Sequence, residues 1–252
     1  SVIPKELLPI NGKPKLEYIM EECIDAGIKQ FIFVVPKNRP SIKKYFFNDN
    51  FYKKILKKKK NDKRLKNVFN RLKKLQKMIK FVYQNKPEGT GHAVLQCKKY
   101  LKGTHFLMLL ADDLIVKKNC SKEMISLHRK TKGSVIATRK VERRTVSRWG
   151  ILGFKNKTKN SFLINEVIEK PKLSEAPSNY AIIGRYILPT KILSVLKIQG
   201  RGKGGEIHIT DAIKTLVKKD ERFYGNIFKG KYIDCGTLDG FIKSGLTISK
   251  YL

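Results

Sequence analysis

The sequence predicts an α/β fold with a parallel sheet, and three stretches carry that prediction. Residues 105–116 read HFLMLLADDLIV, and from Phe106 to Ala111 no side chain is polar. An apolar run of this length, unbroken by alternation, is the pattern of a strand buried on both faces. Residues 30–35, QFIFVV, repeat it. Residues 15–27 form an amphipathic helix that a short loop joins to this second run, which is the grammar of a βαβ unit. The chain has 252 residues, 41% of them hydrophobic, enough for one sizeable core. With no repeat or linker in view, residues 1–252 are expected to form a single domain.

The run at 105–116 is broken by Asp112 and Asp113. In open α/β sheets the ligand crevice lies outside the carboxyl ends of the strands. A carboxylate there is well placed to hold Mg²⁺ against a phosphate, since Mg²⁺ takes a few oxygen ligands plus substrate phosphates. A pair that merely turns the chain fits the same dipeptide.

In chain order, Pro4 and Pro9 bracket Lys5 and exclude a regular helix, leaving a stiff loop that pins a lysine. In the helix over 15–27, Leu16, Ile19, Met20, Cys23 and Ile24 share one face and Gly27 suits the C-terminal cap. Residues 40–47 suggest a short helix. Residues 51–77 are Lys-rich, with Leu65, Val68, Leu72 and Leu75 as one apolar stripe, and read as solvated surface helices. Residues 78–83 return as a strand. The loop QNKPEGTGH follows, with Gly89 and Gly91 flanking Thr90 ahead of a helix over 93–101. Glycines let a ligand approach the backbone, and exposed N–H groups at a helix start favour anions; a simple turn fits as well. Gln84 could read a base edge or cap.

Further on, 122–130 is helical, and 134–141, 149–154, 162–169 and 179–188 are strands. Glu169 and Lys170 close the third of these, where a surface ion pair is the plain alternative. Gly184 lies inside the fourth and suggests close approach of a ligand or another backbone. A glycine-rich turn leads into a helix from about residue 206 to 218. Residues 223–228 and 231–234 read as a hairpin turned at Gly230 and ending in Asp234, a second strand-end carboxylate. Residues 237–252 are a closing helix.

The 55 Lys+Arg against 21 Asp+Glu give a net charge of +34. Such a field can steer small polyanions or bind nucleic acid. The lysines are spread along the chain and no nucleic-acid motif accompanies them, so nucleic acid stands below small anionic substrates. The four cysteines, Cys23, Cys97, Cys120 and Cys235, lack metal-ligand spacing. No apolar run approaches the ~20 residues of a membrane span, and no signal peptide opens the chain. A cytoplasmic protein without a membrane partner is expected.

VIPKELLPI, EGTGHAV, LLADDL, IEKPKLSEAPSNYAIIGRYIL, GGEIHITDAI and IDCGT occur here in this order. In order and spacing they resemble the bacterial UTP–glucose-1-phosphate uridylyltransferases over essentially the whole chain, least well at 51–77. The resemblance implies a Rossmann-like nucleotidyltransferase. Its central sheet would be mixed and mainly parallel, with a smaller β-rich sugar-binding region. The implied reaction is attack of glucose 1-phosphate on the α-phosphorus of UTP, giving UDP-glucose and pyrophosphate with Mg²⁺ as cofactor. By the same resemblance Asp112 and Asp234 are metal ligands, and Lys5 contacts phosphate. Gln84, Gly89 and Gly91 lie at the nucleotide. Gly150, Glu169, Lys170 and Gly184 lie at the sugar phosphate, and Lys5, Asp112 and Lys170 are the catalytic set. A homo-oligomer is expected. The alternatives are transfer of another base or sugar, dTTP for example, or a basic nucleic-acid-binding or regulatory protein on a degenerate transferase fold. The family's first strand and GxGTRxxP loop, which lie ahead of the PKE segment, have no counterpart here. The chain is therefore expected to be truncated at its N-terminus relative to the family, and a poor catalyst as it stands.

Overall fold

The structure, a computed structural model, describes residues 3–38 and 40–250. Between Pro4 and Pro9 the chain makes one 3-10 turn at Lys5–Leu7. A minimal hairpin follows, β1 (Pro9–Ile10) and β2 (Lys13–Pro14). Helix α1 (Lys15–Asp25) buries Leu16, Ile19, Met20 and Cys23 on the expected face. It closes through Gly27 at φ +90°, with the Ile28 amide returning to the Cys23 carbonyl.

β3 (Phe31–Val35) leads into α2 (Ser41–Phe47), α3 (Asp49–Lys58) and α4 (Lys63–Gln76), and then β4 (Ile79–Tyr83) pairs with β3 in parallel. The Lys-rich stretch is thus two surface helices. Leu72 and Leu75 of α4 reach the core beside Phe46 and Met20, and the lysines stay outside. Asn48 and Asp62 cap α3 and α4 by accepting from backbone amides at the third residue beyond.

After α5 (Thr90–Gln96) come β5 (His105–Leu109), β6 (Asp113–Val116), α6 (Cys120–Thr131) and β7 (Ser134–Lys140). Then follow β8 (Gly150–Lys155), β9 (Ser161–Glu169), β10 (Tyr180–Pro189), α7 (Ile192–Ile198), α8 (Ile209–Val217), β11 (Phe223–Ile227), β12 (Lys231–Asp234) and α9 (Leu238–Ser249). Six strands form the main sheet in the order β5-β10-β7-β11-β9-β8, and the start of β10 also pairs with β8. Ile192, Leu196, Ile209 and Ile213 of α7 and α8 pack on one face against Ile136, Phe162 and Phe223. Cys120 and Met124 of α6 pack on the other face against Val135, Ile183 and Ile187.

The sheet is mixed, as expected, with helices on both faces. Its ladders are mostly antiparallel, however: among the described residues, parallel pairing joins β7 with β11 in this sheet and β3 with β4 in a separate two-stranded one. The apolar stretch 105–116 is two strands. β5 runs antiparallel to β10, and β6 breaks away to pair antiparallel with β12. The expected hairpin at 223–234 is also absent. β11 stays in the main sheet, and the chain crosses at Gly230 so that β12 can join β6. A Cβ on Gly230 would meet Ile115 and the carbonyls of Val116 and Lys118, so this crossing needs glycine. The helix expected from 206 begins at Ile209, and the one expected from 93 begins at Thr90.

β5 is only partly buried, contrary to a strand covered on both faces, because β10 is its one strand partner among the described residues. An apolar slot of about 640 Å³ lies alongside it. β3 lines this slot too, with Met20 and Cys23 of α1 and with Pro4 and Glu6.

Candidate active site

The split between β5 and β6 places Asp112 in the intervening loop. Its Oδ2 accepts from Lys5 Nζ at 2.6 Å, and its Oδ1 lies 3.9 Å from Lys15 Nζ. Asp112 and Lys5 are nearly half exposed, whereas the Lys15 side chain is fully buried and its ammonium makes no hydrogen bond. The proline-bracketed loop thus brings Lys5 to Asp112. Lys15, the first residue of α1, was missed because one lysine at a helix start carries no sequence signal.

Asp234 arrives from β12. In the β6–β12 ladder it stands opposite Asp113, and the Cys235 amide donates to the Asp112 carbonyl at 3.0 Å. Asp234 Oδ1 accepts from the Gly236 amide at 2.8 Å. A Cβ on Gly236 would lie 3.2 Å from Asp234 Oδ1 and 3.8 Å from Asp112 Cβ, so the two carboxylates share one small region of surface. Two hard oxygen donors, with no soft ligand required, suit a Mg²⁺ that takes its other ligands from water and phosphate. The Lys5 ammonium on Asp112 shows that this carboxylate already attracts a cation.

Asp113 is a different kind of residue. It is buried, its Oδ1 accepts from Tyr232 Oη at 2.6 Å and its Oδ2 from the Gly184 amide at 3.1 Å. Burial pushes its carboxyl above the usual range, against the pull of those bonds and of Arg185. Half of the aspartate pair therefore does turn and tie the chain. Gly184 is needed for this packing, because a Cβ there would sit 2.6 Å from both Asp113 Oδ2 and Leu110 Cβ. The close approach expected at this glycine is that of the Asp112 loop.

Glu169 ends β9 directly opposite Gly150 of β8, and a Cβ on Gly150 would lie 3.1 Å from Glu169 Oε2. The structure thus brings these two residues together. Lys170 follows at φ +45°, an uncommon conformation for a residue with a side chain, fixed by its amide bond to the Trp149 carbonyl. Tyr186 of β10 lies within the electrostatic reach of both Glu169 and Asp113. With burial these carboxylates push its hydroxyl up.

Gln84 leaves the end of β4. Its Nε2 lies 2.9 Å from His92 Nδ1 and donates to the Gly89 carbonyl at 3.5 Å. Gly89 sits at φ +100° with the Ile207 carbonyl packed where a Cβ would be. Gly91 departs from the expectation of an exposed anion donor. It is buried, and its amide is committed to the Ile207 carbonyl at 2.8 Å. The strand-like passage of 206–207 across the loop explains both glycines, and no local pattern announced it. His92, which also contacts Gln96 Nε2 at 2.8 Å, orients the Gln84 amide. All four cysteines are free and buried, and burial pushes the Cys97 thiol up to about 11. Among the described residues no helix is long and apolar enough to cross a membrane.

The family described as "Nucleotidyl transferase" matches residues 1–250. A UTP–glucose-1-phosphate uridylyltransferase of Staphylococcus saprophyticus is 37% identical over 254 residues, covering 97% of this chain and 84% of that protein. Among solved structures, a UDP-glucose pyrophosphorylase complexed with UDP-glucose superposes with a TM-score of 0.84 at 33% identity, over 99% of this chain and 92% of that one. A UTP-bound UGPase from Acinetobacter baumannii gives 0.83 at 29% identity, over 98% and 86%. With its matches spanning nearly the whole length and its strand-end carboxylates in place, the chain belongs to the nucleotidyl transferase family and, within it, to the UTP–glucose-1-phosphate uridylyltransferases.

Proposed function

We infer that the protein transfers the uridylyl group of UTP to glucose 1-phosphate, forming UDP-glucose and releasing pyrophosphate. Its relatives carry this activity in their names, one similar structure holds UDP-glucose, and another holds UTP. The observation that carries the inference to this chain is the Lys5–Asp112 contact beside Asp234. Lysine and carboxylates at one strand-end loop are what a polyphosphate–cation pair requires.

Asp112 and Asp234 would hold Mg²⁺. When bound, the ion neutralises charge on the phosphates and orients them. Lys5, held beside Asp112, donates to a phosphate oxygen. Lys170 does the same for the sugar phosphate, its amide fixing the backbone from which it reaches. Glu169, held against the backbone of Gly150, accepts from sugar hydroxyls. Gln84, oriented by His92, meets the edge of the base. No covalent intermediate is needed, because alignment of the attacking oxygen with the leaving group is the main requirement of phosphoryl transfer.

The slot beside β3 and β5 has the apolar lining and the strand edges that a further strand would use, and we propose a strand as its occupant. Ile242 and Leu246, one turn apart on α9 and both more than half exposed, are the surface we assign to a second copy of the chain. The buried, reduced cysteines favour a cytoplasmic location. The test of the function compares UTP with dTTP as nucleotide donor to glucose 1-phosphate, with pyrophosphate release as the readout. A preference for UTP of tenfold or more in kcat/KM is expected, and equal use or a preference for dTTP contradicts it.

A further inference from the structure

A single guanidinium bridges the two ends of the loop that presents Asp112. Arg185 of β10 is fully buried, and every N–H it carries has an acceptor. Nε donates to Glu22 Oε2 at 3.2 Å, and Nη2 to Glu22 Oε2 at 3.0 Å and to the Asp113 carbonyl at 2.8 Å. Nη1 donates to the Leu110 and Gly184 carbonyls, both at 3.2 Å. Leu110 and Asp113 are the two ends of the loop, and Asp112 lies between them. The Asp112 carbonyl itself is fixed by the Cys235 amide. Glu22 is equally well satisfied, since its Oε1 accepts from Ser121 Oγ at 2.6 Å and from the Ser121 amide at 3.1 Å.

A buried ion pair of this kind is weak evidence for stability, because desolvation offsets much of the attraction. Its donor geometry is more informative. Two of the five N–H groups face the counter-charge, and the other three grip the carbonyls of Leu110, Gly184 and Asp113, the first and last of these three residues apart. A lysine could keep the charge opposite Glu22, but its compact ammonium has three donors and no fixed fork.

We propose that Arg185 is the positioning residue of the metal-binding carboxylate, clamping the Leu110 and Asp113 carbonyls so that Asp112 meets the divalent cation in a fixed orientation. Arg185 is fully buried with all its N–H groups committed to protein acceptors, so it acts through Asp112. Its catalytic consequence rests on the uridylyl-transfer reading, whereas its consequence for cation binding does not.

The experiment titrates Mn²⁺ alone into the protein, with electron paramagnetic resonance as the readout, for the wild type, Arg185→Lys and Glu22→Gln. Thermal unfolding and steady-state kinetics accompany each titration. Arg185→Lys is expected to weaken Mn²⁺ binding about tenfold. It should lower kcat tenfold or more and leave KM for glucose 1-phosphate within twofold. Glu22→Gln, which keeps the fork, is expected to lower the unfolding temperature and hold Mn²⁺ affinity within twofold. If Arg185→Lys does not fold, Arg185→Gln combined with Glu22→Gln, which removes both charges of the pair, carries the same expectation. Unchanged Mn²⁺ affinity in the Arg185 variant overturns the proposal. So does a loss in Glu22→Gln as large as in Arg185→Lys, because the charge pair rather than the fork would then be at work. A wild type that takes up no Mn²⁺ overturns it as well. A wild type that binds Mn²⁺ and makes no UDP-glucose removes the functional reading and leaves the clamp standing.

Discussion

Asp112 and Asp113 are adjacent in sequence and opposite in role: Asp112 meets the exposed Lys5 at 2.6 Å, and Asp113 meets the Tyr232 hydroxyl at 2.6 Å inside the protein. The contrast yields a paired prediction. Asp112→Asn should lower turnover by about 10²-fold or more, as expected for loss of a charge-stabilising ligand, with little change in unfolding temperature. Asp113→Asn turns an amide toward one of two buried donors and should cost roughly 1–3 kcal/mol of stability. Thermal unfolding and initial rates on both variants check this, and the reverse pattern would reassign the two residues.

Glu169 faces Gly150 across the β8–β9 ladder, in the region assigned to the sugar. Glu169→Ala should raise KM for glucose 1-phosphate or lower kcat/KM by the equivalent of roughly 1–3 kcal/mol, about 5- to 150-fold. UTP binding should stay within twofold. Calorimetric titration of UTP alongside kinetics in glucose 1-phosphate separates the two. An equal loss for both substrates would move Glu169 to the nucleotide.

The His105 and His128 rings lie 4.6 Å apart. Burial, the His128 charge and Lys191 hold the His105 imidazole below its usual 6.5. The folded protein resists a proton that the unfolded chain accepts. Its contribution to stability is therefore present above about pH 6.5 and is lost as pH falls through the lowered value. The unfolding temperature should drop between pH 7.5 and 5, and His105→Gln should flatten that part of the curve. An unchanged slope in the variant would exclude His105 as its source.

β3 and β5 present facing edges to an apolar slot of about 640 Å³, and unpaired edges of this kind invite aggregation. Expressing the longest reading frame that contains this chain should raise both the unfolding temperature and the rate of UDP-glucose formation over those of residues 1–252. Equal values for the two forms would mean that the slot needs no further strand.

The elements that read most clearly in the sequence were those whose pattern is local. The stripe of Leu16, Ile19, Met20 and Cys23 and the run Phe31–Val35 became α1 and β3 because burial periodicity is written along a single segment. Strand pairing was not legible in the same way. Nothing within 105–116 states that β6 will leave the main sheet for β12. That choice depends on Tyr232, Gly184 and Arg185, which are 70 residues or more away. The site divides along the same line. Lys5, Asp112 and Asp234 announced themselves as a proline-held lysine and strand-end carboxylates. Gly91 looked like a phosphate-loop glycine because its partner, the Ile207 carbonyl, is distant in sequence. Glu22 and Arg185 gave no signal, since a charged residue reads as surface until its counter-charge is known.

The identity of the product reports directly on uridylyl transfer at the Asp112–Asp234 site. The protein, as the longest reading frame containing this chain, is incubated with UTP, glucose 1-phosphate and Mg²⁺, and the nucleotide products are separated and identified by mass. UDP-glucose and pyrophosphate are expected in equal amounts, with the yield of Asp112→Asn lower by about 10²-fold or more under the same conditions. Folded protein that forms no UDP-glucose, or Asp112→Asn forming it at the wild-type rate, would contradict the account.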